Sequence, residues 1–307
     1  MTALICDICG GKLVMQKGGI AKCQNCGLEY SMDRLQEMMG VVQVDSSHLN
    51  DNYYELAKDS FDAGNYSLAE EYCNKIIESN PLYTKAHILK GQSVASLSTV
   101  DDQRYKEAII SFVNSFDSLS DTEDRAATDR VVQRELQSYA NEIVCLRMER
   151  FAIWLSRNDA DGLCDDLNEY NELLNHYSLK TKMSIDREYI FSDLSALMFR
   201  LVMAVVSDRI LPDFKNNSSK QSYLSFNERI DSCTIILNKS LQYSADDRLK
   251  QQIIELMINM IESVIRNNTT DYYRDSWGAH HEISRLSDED LQQKANMIDR
   301  LMKMETK

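Results

Sequence analysis

The chain has 307 residues, with 34 lysines and arginines against 48 aspartates and glutamates and a formal net charge of −14. Hydrophobic residues make up 43% and charged residues 27%, the proportions of a globular protein long enough to bury a core without disulfides. The acidic balance argues against generic nucleic-acid binding, whose phosphates reward basic side chains, and against docking on an anionic membrane.

The first residues, MTALICDICGGK, reach cysteines with no apolar run of signal-peptide length, so the expected compartment is the reducing cytoplasm, where cysteines serve as thiols or metal ligands. Residues 6–26 read CDICGGKLVMQKGGIAKCQNC. Cys6 and Cys9 form one C-x2-C turn, Cys23 and Cys26 a second, and thirteen residues separate them. Each turn puts two thiolates on one side of a tight loop, and two such turns face to face supply four sulfurs in the tetrahedral arrangement that zinc prefers. Gly10 and Gly27 each follow the second cysteine of a pair. A positive φ there lets the chain curl and aim backbone N–H groups at the sulfurs. KLVM, GIAK and LEYS read as short strands, with Lys17–Gly19 as a hairpin turn.

This stretch resembles a zinc ribbon of the transcription-factor-B or rubredoxin-like type, over about a tenth of the chain. The resemblance implies one structural Zn²⁺ held by Cys6, Cys9, Cys23 and Cys26; a rubredoxin-like iron site is the alternative. Four cysteine ligands close the coordination sphere and leave no position for water or substrate. Over residues 1–40, Lys12, Lys17, Lys22 and Arg34 are offset by Asp7, Glu29, Asp33 and Glu37, so no basic footprint marks a nucleic-acid surface. The three lysines could still share one face, which keeps a transcription- or RNA-associated role as the alternative.

Ser31 can cap a short helix, MDRLQEMM, closed by Gly40, and residues 41–50 read as a linker. Next comes YYELAKDSFDAGNYSLAEEYCNKIIESNP, Tyr53 to Pro81. Leu56, Ala57, Gly64, Tyr66, Ala69 and Pro81 fall at the spacings of the tetratricopeptide (TPR) pattern. Tyr105 and Ala108 repeat Tyr66 and Ala69 after 39 residues, and the excess over the standard repeat lies in the polar loop STVDDQ. Residues 51–120 thus resemble two TPR-like helical hairpins, whose apolar faces need further neighbours. Two clamp positions of chaperone-tail-binding TPR proteins align with Tyr54 and Lys58, and a third with Leu89. Only Lys58 suits an acidic tail, so that role is not expected.

Eight of the ten glycines lie at or before Gly91, and only Gly162, Gly278 and Pro212 break residues 92–307. Tight β-turns depend on glycine and proline and helix interiors exclude them, so residues 121–307 are predicted to be all-helical. Apolar periodicity outlines helices around 132–155, 163–174, 190–211 (stopped by Pro212), 223–241, 246–266 and 288–304, with a turn at Asn158–Gly162. Ser287 and Asp290 form a capping-box-like start to the last helix. The apolar run Ala196–Val206 is too short to span a bilayer and reads as a buried helix.

No phosphate-loop, dinucleotide or nucleophile-elbow motif is present. His280 and His281 have neither a metal-binding spacing nor a nearby cysteine. Acidic groups such as Asp165-Asp166 sit where they complement helix dipoles, and Cys73, Cys145, Cys164 and Cys233 read as core residues. The 15 tyrosines divide between core and binding surface. The expected molecule is mostly α, a small β zinc ribbon followed by a TPR-like α-solenoid array. It is expected to be a non-enzymatic scaffold or adaptor for a protein or peptide partner, with no membrane role.

Overall fold

The computed structural model describes residues 5–15, 20–31, 34–35, 46–117, 119, 121–216, 219–274 and 276–305. The chain divides into two compact units, Met1–Tyr53 and Tyr54–Lys307. In the first, β1 (Leu13–Met15), β2 (Ala21–Cys23) and β3 (Glu29–Tyr30) form an antiparallel sheet in that order. Leu13 pairs with Cys23 and Ala21 with Tyr30. Cys6, Leu13, Ala21, Cys23, Tyr30 and Leu35 make a small core of their own. The expected turn at Lys17–Gly19 and most of the helix expected after Ser31 lie outside the described residues. Helix α1 (Ser46–Asp62) begins inside the stretch expected as linker.

The second unit opens with helical hairpins. Gly64 (φ +77°) turns the chain after α1, and the Asn65 side chain accepts from the Leu68 N–H to start α2 (Tyr66–Ser79). That geometry is what Gly-Asn is suited to. Ala57, Cys73 and Leu89 pack together, joining α1, α2 and α3 (Thr84–Ser96). The small residue at Gly91 has a direct cause: a Cβ there would lie 2.4 Å from the Phe112 ring, so α3 can approach α4 (Tyr105–Asn114) only with glycine. The STVDDQ loop is tied down at its end by Arg104, whose Nη1 and Nη2 each donate to Glu70 at 3.0 Å.

Beyond the hairpins come α5 (Thr122–Trp154), α6 (Arg157–Thr181), α7 (Arg187–Phe191), α8 (Leu194–Val205), α9 (Leu211–Asn216), α10 (Lys220–Tyr243), α11 (Asp247–Arg266) and α12 (Asp288–Glu305). Helix α6 packs on α4, α5 and α10; α10 also meets α8 and α11, and α11 meets α12. One continuous apolar core runs from Val94 to Leu301, so residues 121–307 share a core with the second hairpin. Buried tyrosines furnish much of it. Tyr139 donates to the Gly91 carbonyl, Tyr170 to that of Leu136 and Tyr223 to that of Val264. Tyr177 reaches the buried Asp129 carboxylate at 2.8 Å. These four hydroxyls thereby keep a partner inside the core, as burial requires, whereas the buried Tyr105 hydroxyl has none among the described residues.

Three expectations are corrected here. The reversal expected at Asn158–Gly162 falls at Leu155–Ser156. Leu155 takes a left-handed φ of +52°, and the Ser156 Oγ accepts from the Asp159 N–H to cap α6. Gly162 lies within α6, where a Cβ would sit 3.1 Å from the Arg147 guanidinium. Pro212 does not stop the helix it follows. A π turn, Val206–Ile210, precedes it, with the Leu211 N–H bonded back to the Val206 carbonyl. The wider turn leaves room for the ring, and α9 continues to Asn216. Finally, the C-terminal region is not wholly helical: β4 (Thr270–Arg274) and β5 (His280–Ser284) pair antiparallel. Gly278 (φ +84°) lies between them.

The run Arg187–Lys215 is long and apolar enough to cross a membrane by length and composition, with 44% of its apolar window buried. This overturns the expectation that the run around Ala196–Val206 is too short to span; Leu194, Met198, Val202 and Val205 lie in the core, while Met203 is exposed.

Candidate metal centre

The two C-x2-C turns are built alike. The Cys6 N–H donates to the Gly11 carbonyl at 2.8 Å and the Gly10 N–H to the Cys6 carbonyl at 2.9 Å. In the second turn the Cys23 N–H donates to the Leu28 carbonyl at 2.8 Å and the Gly27 N–H to the Cys23 carbonyl at 3.0 Å. Gly10 and Gly27 have φ of +70° and +75°, the left-handed conformation that side chains other than glycine's resist. The Gln24 N–H to Lys12 carbonyl bond, 3.0 Å, joins the turns. The repeat of one hydrogen-bond pattern around two cysteine pairs brings all four sulfurs face to face.

Cys6, Cys9, Cys23 and Cys26 are the predicted ligand set, and their Sγ atoms all lie within 4.8 Å of one another. Cys6 Sγ is 3.7 Å from Cys26 Sγ, and Cys9 Sγ is 3.5 Å from Cys23 Sγ. This is the cluster among the described residues that could hold a metal ion. Cys6 and Cys23 are buried, while Cys9 and Cys26 lie open to solvent. The Asn25 N–H approaches Cys23 Sγ at 3.4 Å, the kind of backbone donor expected to stabilise a thiolate.

Three contributors were not read from the sequence. Gly11 is one. A Cβ there would lie 2.9 Å from Cys23 Sγ and 3.3 Å from Cys9 Sγ, so the sulfur cluster has room only because this residue has no side chain. The Gly10-Gly11 doublet was the available signal. Tyr30 is the second; its hydroxyl lies 2.9 Å from Cys6 Sγ and donates to Asp7 Oδ1 at 2.5 Å. Asp7, the third, is also bound by Arg34 at 3.3 Å. Backbone donation, first from Cys26, lowers the Cys23 thiol. Tyr30 and then Arg34 hold Asp7 below the usual carboxylate range. Cys23 is thus biased toward the thiolate, the form a metal requires.

The other predicted positions separate. Cys73 and Cys233 are core residues, and burial pushes each thiol up to about 12. Cys145, by contrast, is exposed, and Cys164 is only partly buried, because each lies at the edge of its helix's apolar stripe. His87 is buried and its ring nitrogen bonds the Pro81 carbonyl at 2.8 Å. His280 is exposed on β5, paired in register with Arg274. On the ribbon, Lys22 is neutralised by Glu29 across the β2–β3 pair at 3.0 Å, and Arg34 by Asp7. Leu89, one of the aligned clamp positions, is buried in the hairpin core.

Comparison of the chain with family models, curated proteins and solved structures gives no match.

Proposed function

We propose that this protein is a non-enzymatic interaction scaffold, in which a zinc-held ribbon accompanies a TPR-like helical array that binds a protein or peptide partner. The observation that carries the reading is the closed four-sulfur cluster. A tetrahedral zinc with bonds of about 2.3 Å sets neighbouring sulfurs about 3.8 Å apart, close to the 3.7 and 3.5 Å separations here. Cys6, Cys9, Cys23 and Cys26 would be the ligands. With four thiolates the sphere is full, so the ion would supply folding energy rather than a Lewis-acid site. The TPR-like reading is supported by alanines at 57, 69, 86 and 108, all fully buried, and by the forced glycine at Gly91. Hairpins with such close approaches stack readily into arrays that present extended binding faces.

The reading is tested by capture of partners with cross-linking, with and without nuclease, and by locating the cross-linked residues. A protein cross-linked to the helical unit through nuclease treatment is the expected result. Partners lost on nuclease treatment, or cross-links confined to the ribbon lysines, would contradict the scaffold reading and favour a nucleic-acid-associated one.

A further inference from the structure

The helical unit holds a pocket of about 640 Å³ between α6, α7 and α10, continuing to the start of α11. That volume is the size of a small-ligand site. Its charged groups are arranged unusually for so acidic a chain. Lys239 lines it, is only 9% exposed, and has as its polar partner the Asn168 Oδ1 at 2.6 Å. The Tyr243 ring centroid lies 5.4 Å from its Nζ. Arg187, also lining the pocket, donates from Nε to Asn171 Oδ1 at 3.0 Å and from Nη2 to Asn175 Oδ1. Asn168, Asn171 and Asn175 recur along one face of α6, and neither cation forms an ion pair among the described residues. A buried ammonium with one amide oxygen and one ring face is short of compensating charge.

The amides decide what is missing. Because the two cations occupy the oxygens of Asn168 and Asn171, the NH₂ groups of those side chains remain as donors. The Lys239 ammonium has further N–H groups, as does the Arg187 guanidinium. The pocket is therefore rich in hydrogen-bond donors, and a ligand that satisfies them must bring acceptor oxygens. Phe191 and Tyr243, with ring centroids 4.8 Å apart, supply an aromatic wall. Glu188 and Asp246 also line the pocket, so two carboxylates already face two cations, which penalises a dianion more than a monoanion.

We propose that this pocket binds a monocarboxylate with an apolar, aromatic-compatible body, its oxygens taken by Lys239 and Arg187 and its body laid against Phe191 and Tyr243. The same chemistry is offered by a free carboxylic acid and by the carboxylate at the end of a peptide, and the pocket is independent of the metal centre and of the TPR-like reading.

The test uses the full chain and five probes: phenylacetate, phenylacetamide, an N-acetylated tripeptide ending in phenylalanine with a free carboxylate, the same tripeptide amidated, and inorganic phosphate. Calorimetric titration should show saturable binding of at least one acid and neither amide. Affinity should fall roughly tenfold or more in Arg187→Gln, as loss of a charge-assisted hydrogen bond entails. Arg187 is exposed, so its variant keeps the fold, checked by an unchanged melting temperature. Lys239→Met should abolish binding; should that variant fail to fold, Arg187→Gln alone decides. Binding of phenylacetate would identify a free acid as the source, and binding of the tripeptide acid alone a peptide end. Saturation by neither acid, equal binding of acids and amides, or tighter binding of inorganic phosphate than of either acid would overturn the proposal.

Discussion

Gly11 illustrates how a single missing side chain sets the metal centre. A Cβ added at Gly11 would lie 2.6 Å from the Asn25 Cβ as well as against two sulfurs, so Gly11→Ala must push the second cysteine turn outward. Outer-shell changes of this kind weaken metal binding about 10–100-fold, and at least the lower figure is expected in competition with a chromophoric chelator. Gly91 makes the same point in an apolar setting. Alanine there gains about 1 kcal/mol of helix propensity but meets the fully buried Phe112 ring at 2.4 Å, an overpacking that costs about 1–3 kcal/mol. Gly91→Ala is expected to lower the melting temperature. Glu142 gives a pH test. Burial raises its carboxyl above the ordinary range, so the folded state favours the neutral acid. The associated stability is intact below the unfolded glutamate value of about 4.3 and is lost as pH rises through the raised folded value. Glu142→Gln, neutral throughout, should melt higher than the parent at about pH 7 and equally at about pH 4.

At the scale of elements, caps and packing decide where helices begin and end. Ser287 and Asp290 close a reciprocal box: the Asp290 N–H donates to Ser287 Oγ at 3.1 Å, and the Ser287 N–H to Asp290 Oδ2 at 3.3 Å. Ser287→Ala should cost about 1 kcal/mol, read as a lower melting temperature. This box and the two cysteine turns were legible in the sequence, since each depends on a few adjacent residues. What was not legible depended on distant ones. Gly162 looked like a turn because nothing local reveals the Arg147 side chain above it. Pro212 looked like a terminator because a π turn leaves no mark in residue spacing. The hairpin around Gly278 was masked by the scarcity of glycine, although Thr270, Tyr272 and Tyr273 on its first strand are residues that favour strands. Tyr30 reaches Cys6 and Asp7 only because the sheet folds β3 back beside them, and the cations Arg187 and Lys239 meet the α6 asparagines from two other helices.

For the whole molecule, two separate apolar cores matter most. The six-residue core around Cys6 and Cys23 is small, and a module of that size gains too little from burial to fold unaided. The core from Val94 to Leu301 is large and contains none of the four ligand cysteines. The central claim is that a proposed structural zinc folds the first unit and leaves the helical unit to stand on its own core. The most direct measurement is metal analysis of the full chain, followed by chelation monitored by far-ultraviolet circular dichroism and amide hydrogen exchange. One zinc per chain is expected. On its removal, exchange protection should vanish over β1–β3 while the helical signal and the protection of α5–α12 persist. A chain that binds no metal through Cys6, Cys9, Cys23 and Cys26, or one that loses its helices with the metal, would contradict it.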